Sequence, residues 1–100
     1  MDTRLKSVSK DVFGIDYMLP VAVAILSSAE PMSLTQLTSQ VGVSSSSSIQ
    51  GALARLVAGG FVHRDADGGS DRARPYHRVD GAFWSLVQEL YGRTSGPGLF

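Results

Sequence analysis

Residues 33–60 read SLTQLTSQVGVSSSSSIQGALARLVAGG, and the order of signals in that stretch decides the fold. Ser33 is placed as the N-cap of a helix over Leu34–Gln40, with Gln36 at the third helical position in the manner of a capping box. Leu34, Leu37 and Val41 share one face at i, i+3 and i+7. Gly42 follows where a left-handed residue closes a helix, so Val41-Gly42-Val43 reads as a tight turn. A second helix starts within the run Ser44–Ser48 and ends at Ala58, with Ile49, Ala52, Leu53, Leu56 and Val57 as its apolar stripe. At ~100° per residue the opposite face carries Ser47, Gly51, Ala54, Arg55 and Ala58, with Gln50 and Ser48 on its flanks.

Downstream, Gly59-Gly60 breaks the helix and an arginine-rich hairpin follows. Its strands are expected at Phe61–Asp65 and Arg74–Val79, around the turn chemistry of Asp67-Gly68-Gly69-Ser70. Pro75 cannot donate a ladder hydrogen bond, so the second strand reads as an edge there. A last helix starts near Asp80 as N-cap and runs to Arg93, leaving residues 94–100 as a flexible tail. Upstream, Asp16–Ser28 reads as a helix: Pro20 suits a first turn, and Val21-Ala22-Val23-Ala24-Ile25-Leu26 is apolar on every side, as in a helix at the centre of a fold. The β-branched residues there make a strand the rival reading. Glu30-Pro31-Met32 separates this helix from the next. Residues 1–15 are held open as an arm or a short extra helix, so the domain proper spans 16–93.

One hundred residues suit a single domain with one core, and 43% hydrophobic with 18% charged residues describes a folding chain. No apolar run approaches the ~20 residues needed to span a bilayer. The N-terminal sequence lacks the apolar stretch of a signal peptide, and the absence of cysteine fits the cytoplasm. Formal net charge is zero, but charge is unevenly placed. Arg4, Lys6 and Lys10 against Asp2 give residues 1–10 a net of +2, and Arg55 and Arg64 without an acid give residues 43–64 the same. Residues 11–42, with Asp11, Asp16 and Glu30, carry −3.

Helix, tight turn, helix and basic hairpin, in that order, form a device for laying one helix in a groove of duplex DNA. A helix on a short turn projects past its partner and enters a major groove ~12 Å wide. The serines Ser45, Ser46, Ser47 and Ser48 offer small hydroxyls at its first turn. Gln50 has the side chain that pairs bidentately with adenine, and Arg55 suits guanine or a phosphate. Gly51 and Ala54 leave the outer face flat. Arg64, Arg72 and Arg74 place guanidinium groups on the hairpin, against backbone or minor groove.

Residues Pro20 to Leu90 resemble a winged helix-turn-helix regulator of the MarR/ArsR kind. The resemblance rests on Ser33-Leu34-Thr35-Gln36-Leu37, Val41-Gly42-Val43-Ser44, Ile49 with Leu53 and Leu56, Gly60-Phe61-Val62, and Arg74-Pro75-Tyr76-His77-Arg78-Val79 as the returning strand of the wing. It implies a mainly α fold with a small β-hairpin (α+β) and a small dimeric bacterial transcriptional regulator. Its partner is double-stranded DNA, with a palindromic operator, and it acts as a repressor from the cytoplasm. On this reading Ser33 and Thr35 join the contact set, and no cofactor is expected. A small-molecule effector is compatible with the resemblance, although no residue marks a pocket. The chain departs from the pattern in a longer serine run and in a recognition surface whose basic residue is Arg55 alone, which implies modest affinity per monomer.

Blander readings stand beside these. The serine run also fits a flexible linker, and Gln50 and Arg55 also fit solvated helix positions. In the last helix Phe83, Leu86, Val87 and Leu90 form a stripe that Trp84 and Tyr91 widen; Phe83, Trp84, Val87, Leu90 and Tyr91 are expected at a dimer seam, or else cover the chain's own core. His63 and His77 fall opposite one another in a hairpin centred on residue 70, but two histidines without a third ligand or a cysteine make no convincing metal site. Neither a nucleophile elbow nor a phosphate-binding glycine loop is present, so no enzyme is expected. The rival function is a winged helix used for protein association or dimerisation without DNA binding, which the neutral net charge favours.

Overall fold

In the computed structural model, residues 3–28, 30–64 and 75–95 are described. The elements are α1 Thr3–Phe13, α2 Met18–Ser27, α3 Leu34–Val41, α4 Ser47–Ala58, β1 Val62–Arg64, β2 Tyr76–Arg78 and α5 Ala82–Ser95. The architecture is mainly α with one antiparallel hairpin, a winged helix-turn-helix.

An apolar segment without a polar face is stable as a helix only when other elements surround it. That is the position of α2, whose residues Met18 through Ile25 are all buried. It packs against α1, α3, α4, α5 and β2. Its start raises the usual difficulty of a buried helix end, where first-turn N–H groups lack partners. The Leu19 N–H donates to Ser9 Oγ at 2.8 Å, Pro20 has no N–H, and the Val21 N–H donates to the Tyr17 carbonyl at 3.1 Å. Ser9 Oγ in turn donates to the Ile15 carbonyl at 2.6 Å. The segment held open as arm or helix is thus the helix α1, with Leu5 and Ser9 buried in the domain. The strand alternative for residues 19–28 is not what forms.

α3 follows the sequence rules closely. Ser33 Oγ accepts from the Gln36 N–H at 3.3 Å while the Ser33 N–H donates to Gln36 Oε1 at 2.9 Å, a complete capping box. Gly42 closes the helix at φ 87°, a left-handed conformation that disfavours residues with a Cβ. Leu34, Leu37 and Val41 are buried, as are Ile49, Ala52, Leu53 and Leu56 of α4, so the two helices meet α2 through their expected stripes. Val57, counted with the α4 stripe from sequence, is exposed at its edge.

The hairpin pairs Val62 with Arg78, His63 with His77 and Arg64 with Tyr76, so the two histidines do stand opposite each other, ring centroids 6.2 Å apart. Its strands are three residues each, shorter than expected. Residues 65–74, with the expected turn and the arginines Arg72 and Arg74, lie outside the described residues. Past Pro75 the edge of β2 is covered: the Tyr76 N–H donates to the Met32 carbonyl at 2.8 Å.

α5 differs from expectation at both ends and in what its apolar face meets. It begins at Ala82 rather than directly after Asp80, with the Trp84 N–H bonded to the Gly81 carbonyl at 3.2 Å, and it continues through Ser95. Residues 94 and 95 are therefore helical, and 96–100 lie outside the described residues. The expected dimer seam is largely the chain's own core: Trp84, Val87 and Leu90 are buried within this molecule, Val87 completely. The Trp84 indole N–H donates to the Val79 carbonyl at 2.8 Å and reaches the Phe61 carbonyl at 3.2 Å, fastening both strands at the base of the hairpin. Phe83 stacks on Phe61 with ring centroids 4.3 Å apart and meets Phe13 of α1 at 6.2 Å. Of the five residues, Tyr91 keeps an exposed side chain, at 39%, matched by Leu86.

Replacing Ser9 with alanine leaves the buried Leu19 N–H without its acceptor. The Ser9→Ala variant is expected to lose about 1–3 kcal/mol of stability in urea denaturation. An unchanged midpoint would show that Leu19 has another acceptor.

Candidate nucleic-acid interface

With the stripe of α4 committed to α2, helical geometry fixes what the helix presents outward. Ser47, Gly51, Ala54 and Ala58 lie opposite the buried residues and are exposed. A Cβ built on Gly51 meets nothing within 4 Å, so the middle of this face is open and nearly flat. The start of the helix is ordered by its own serines: Ser45 Oγ accepts from the Ser47 N–H at 3.3 Å and shares a 2.9 Å hydrogen bond with Ser47 Oγ. Ser46 is the N-cap residue without a side-chain cap bond. The serine run is thus a structured helix entry and not a linker.

Two grooves border the flat face. On the hairpin side Gln50 and Arg64 come together in a cavity of about 460 Å³, walled by Leu34, Leu53, Val57 and Tyr76. Arg64 is half-buried, its guanidinium carbon 5.4 Å from the Tyr76 ring centroid, a cation–π distance. On the other side Ser47, Ser48, Gly51 and Arg55 face Lys10 and the turn leading into α2, across a groove of about 430 Å³. Ser33 and Thr35 sit at the start of α3, where the Ser33 hydroxyl is engaged in its capping box and Thr35 is exposed. Of the site residues, Gln50 and Arg64 thus lie on one flank of α4 and Ser47, Ser48, Gly51 and Arg55 on the other, with Arg72 and Arg74 outside the described residues.

The sequence reading passed over Lys10 as a neighbour of α4. Its signal was present in Lys6 and Lys10, four residues apart and hence on one helical face, but the segment's helical state was undecided. It also missed that Phe83 and Trp84 hold the hairpin. Among the described residues no group of three or more His, Cys, Asp and Glu side chains is arranged to hold a metal ion.

Comparison with solved structures bears on this arrangement. The transcriptional regulator BldR from Sulfolobus solfataricus superposes with a TM-score of 0.62 at 21% identity, over 90% of this chain and 62% of BldR. A MarR-family transcriptional regulator from Silicibacter pomeroyi gives 0.60 at 21% identity, over 97% and 67%. The fold is that of the MarR-type winged helix. CouR from Rhodococcus jostii, crystallised with p-coumaroyl-CoA, has the same winged helix, with a TM-score of 0.61 at 18% identity over 97% of this chain and 71% of CouR. The winged-helix chain spans just under two thirds of the length of BldR. No protein-family model and no curated protein matches it. In winged-helix terms α3 and α4 are the helix-turn-helix, β1 and β2 the root of the wing.

A glycine at an exposed helical position costs about 1 kcal/mol relative to alanine. Because the space over Gly51 is open, Gly51→Ala is expected to raise stability by about that amount in thermal or urea unfolding. A loss of stability would mean that the outer face is packed against something.

Proposed function

We propose that this chain binds double-stranded DNA sequence-specifically as a small dimeric bacterial transcriptional regulator, with α4 in the major groove and the wing on backbone or minor groove. The observation that carries the reading is the outward face of α4, exposed and free of bulk from Ser47 to Ala58, with Gln50 on one flank and Arg55 on the other. A face without large side chains lets the helix axis approach base edges closely, and flank residues then reach them at an angle. Ser45 to Ser48, Thr35 and the α3 cap at Ser33 are placed near phosphates; Arg64, Arg72 and Arg74 supply the wing's cations. The BldR and Silicibacter pomeroyi structures are described as transcriptional regulators, which supports DNA binding over the association-only alternative.

The finer points belong to the same reading. A symmetric dimer matches a palindromic operator, and bound across a promoter it represses by occlusion. With Trp84, Val87 and Leu90 in the core, pairing through α5 falls to Tyr91 and Leu86; sedimentation equilibrium tests it, a monomer throughout the micromolar range being the contrary result. An effector is part of the proposal, on the ground that CouR is bound to p-coumaroyl-CoA. No helix among the described residues is long and apolar enough to cross a membrane, in keeping with a regulator working in the cytoplasm.

Fluorescence anisotropy with duplexes selected from the source genome tests the reading. The parent chain is expected to bind and to weaken steeply with salt. Gly51→Leu is expected to reduce affinity for every duplex by at least tenfold while the fold persists. Gln50→Ala changes the preferred sequence, and Arg72→Ala with Arg74→Ala weakens all sequences alike. Salt-insensitive or absent binding, or binding indifferent to Gly51→Leu, contradicts the proposal.

A further inference from the structure

The groove on the α1 side of α4 carries more positive charge than negative, and its position relative to the wing suggests what fills it. We propose that this groove holds the phosphodiester backbone of the DNA strand bordering the major groove on the side away from the wing, with Lys10 and Arg55 as the cations that grip it. The inference rests on the DNA-binding reading above and assigns to α1 a contact role that the helix-turn-helix and wing do not supply.

Three observations converge. The first is placement. Gln50 and Arg64 line one side of α4, whereas Lys10, Ser48 and Arg55 line the other. A helix lying in a major groove has a sugar-phosphate backbone on each side, so a surface with cations on both flanks fits a duplex better than a single-sided ligand. The second is charge. Lys10 and Arg55 are both exposed along the groove, and the Lys6 ammonium lies 5.0 Å from the ring centroid of Tyr17, which also lines it. Asp16 is the carboxylate among the lining residues, so the lining itself carries two cations, Lys10 and Arg55, against one acid. The rest of the chain offsets this elsewhere, which is how a molecule of zero net charge presents a cationic edge.

The third is rigidity. Lys10 is not on a loose arm. Its own carbonyl accepts the Gly14 N–H at 2.9 Å, and the preceding residue, Ser9, is fully buried and bonded to Ile15 and Leu19. The backbone at Lys10 and the turn over 14–17 are therefore held as one piece against α2, the helix on which α4 also packs. A cation carried on a fixed backbone loses less conformational entropy on engaging a phosphate than one on a disordered segment.

The test is anisotropy of the full chain on a single duplex of about 25 base pairs, across a range of salt concentrations, repeated on an unrelated duplex. Lys10→Gln is expected to weaken both duplexes by a similar factor and to lower the slope of log K against log salt by about 0.9, one phosphate contact. Lys10→Arg restores the slope. Asp16→Asn, which removes the opposing carboxylate, tightens binding to both. Arg93→Gln deletes the same charge from α5, where Arg93 pairs with Glu89 at 3.3 Å, and is expected to leave the slope unchanged. An unaltered slope in Lys10→Gln, or an equal drop in Arg93→Gln, overturns the groove assignment while leaving α4 as the reading helix if Gly51→Leu still weakens binding at least tenfold. A parent chain that binds no duplex overturns both together. An acidic protein segment as the true occupant would appear as Lys10-dependent, salt-sensitive binding of a polyglutamate peptide with no binding of DNA, and that result also rejects the proposal.

Discussion

Burial of α2 on all sides is the constraint from which the rest of the structure follows. Its side chains from Met18 to Ile25 offer water nothing, so the helix forms only inside a shell, and α1, α3, α4, α5 and β2 are that shell. Each fully buried Leu or Val in such a position contributes about 1.5–3 kcal/mol relative to exposure. The same burial makes the polar start of α2 a liability, which the Ser9 hydroxyl resolves by accepting the Leu19 N–H. One serine thereby ties α1 to the start of α2, beside the packing of α1 on α2 and α5.

The wing root shows the same economy of parts. A two-stranded hairpin of this length has little stability alone. Trp84 bonds a carbonyl of each flanking segment, Phe83 stacks on Phe61, and Arg78 reaches the Leu26 carbonyl at 3.4 Å with its guanidinium 6.0 Å from the Trp84 ring. These contacts join the root of the hairpin to α5 and α2, while β1 also packs directly on α4. Aromatic residues that suit a subunit seam in sequence are consumed in that task.

What the sequence made legible, and what it hid, follows from the range of the rules involved. Ser33, Gln36 and Gly42 act within one or two turns of their own helix, so caps and boundary of α3 could be read directly. The stripe from Ile49 to Leu56 told which face of α4 is buried and therefore which is free. The register that places His63 against His77 could be read from their equal spacing about residue 70. A stripe does not say what it packs against, and that is why Trp84, Val87 and Leu90 were open to two readings. Nor does a polar serine at position 9 announce a partner ten residues away; its hydrogen bond exists only once α1 and α2 have folded against each other. The two-flank division of Gln50 with Arg64 and Arg55 with Lys10 is tertiary for the same reason.

Net charge is a poor guide to such a surface, because counterion release depends on cations close to phosphates and not on the sum over the chain. The central claim is that the outer face of α4 is the surface that meets duplex DNA. Amide chemical-shift mapping on ¹⁵N-labelled protein titrated with duplex measures this most directly. The account predicts that the largest shifts fall on residues 47–58, led by the amides of Gln50 and Gly51, with those of Leu86 and Tyr91 little changed. Shifts confined to α5, or a spectrum indifferent to saturating duplex at low salt, would contradict it.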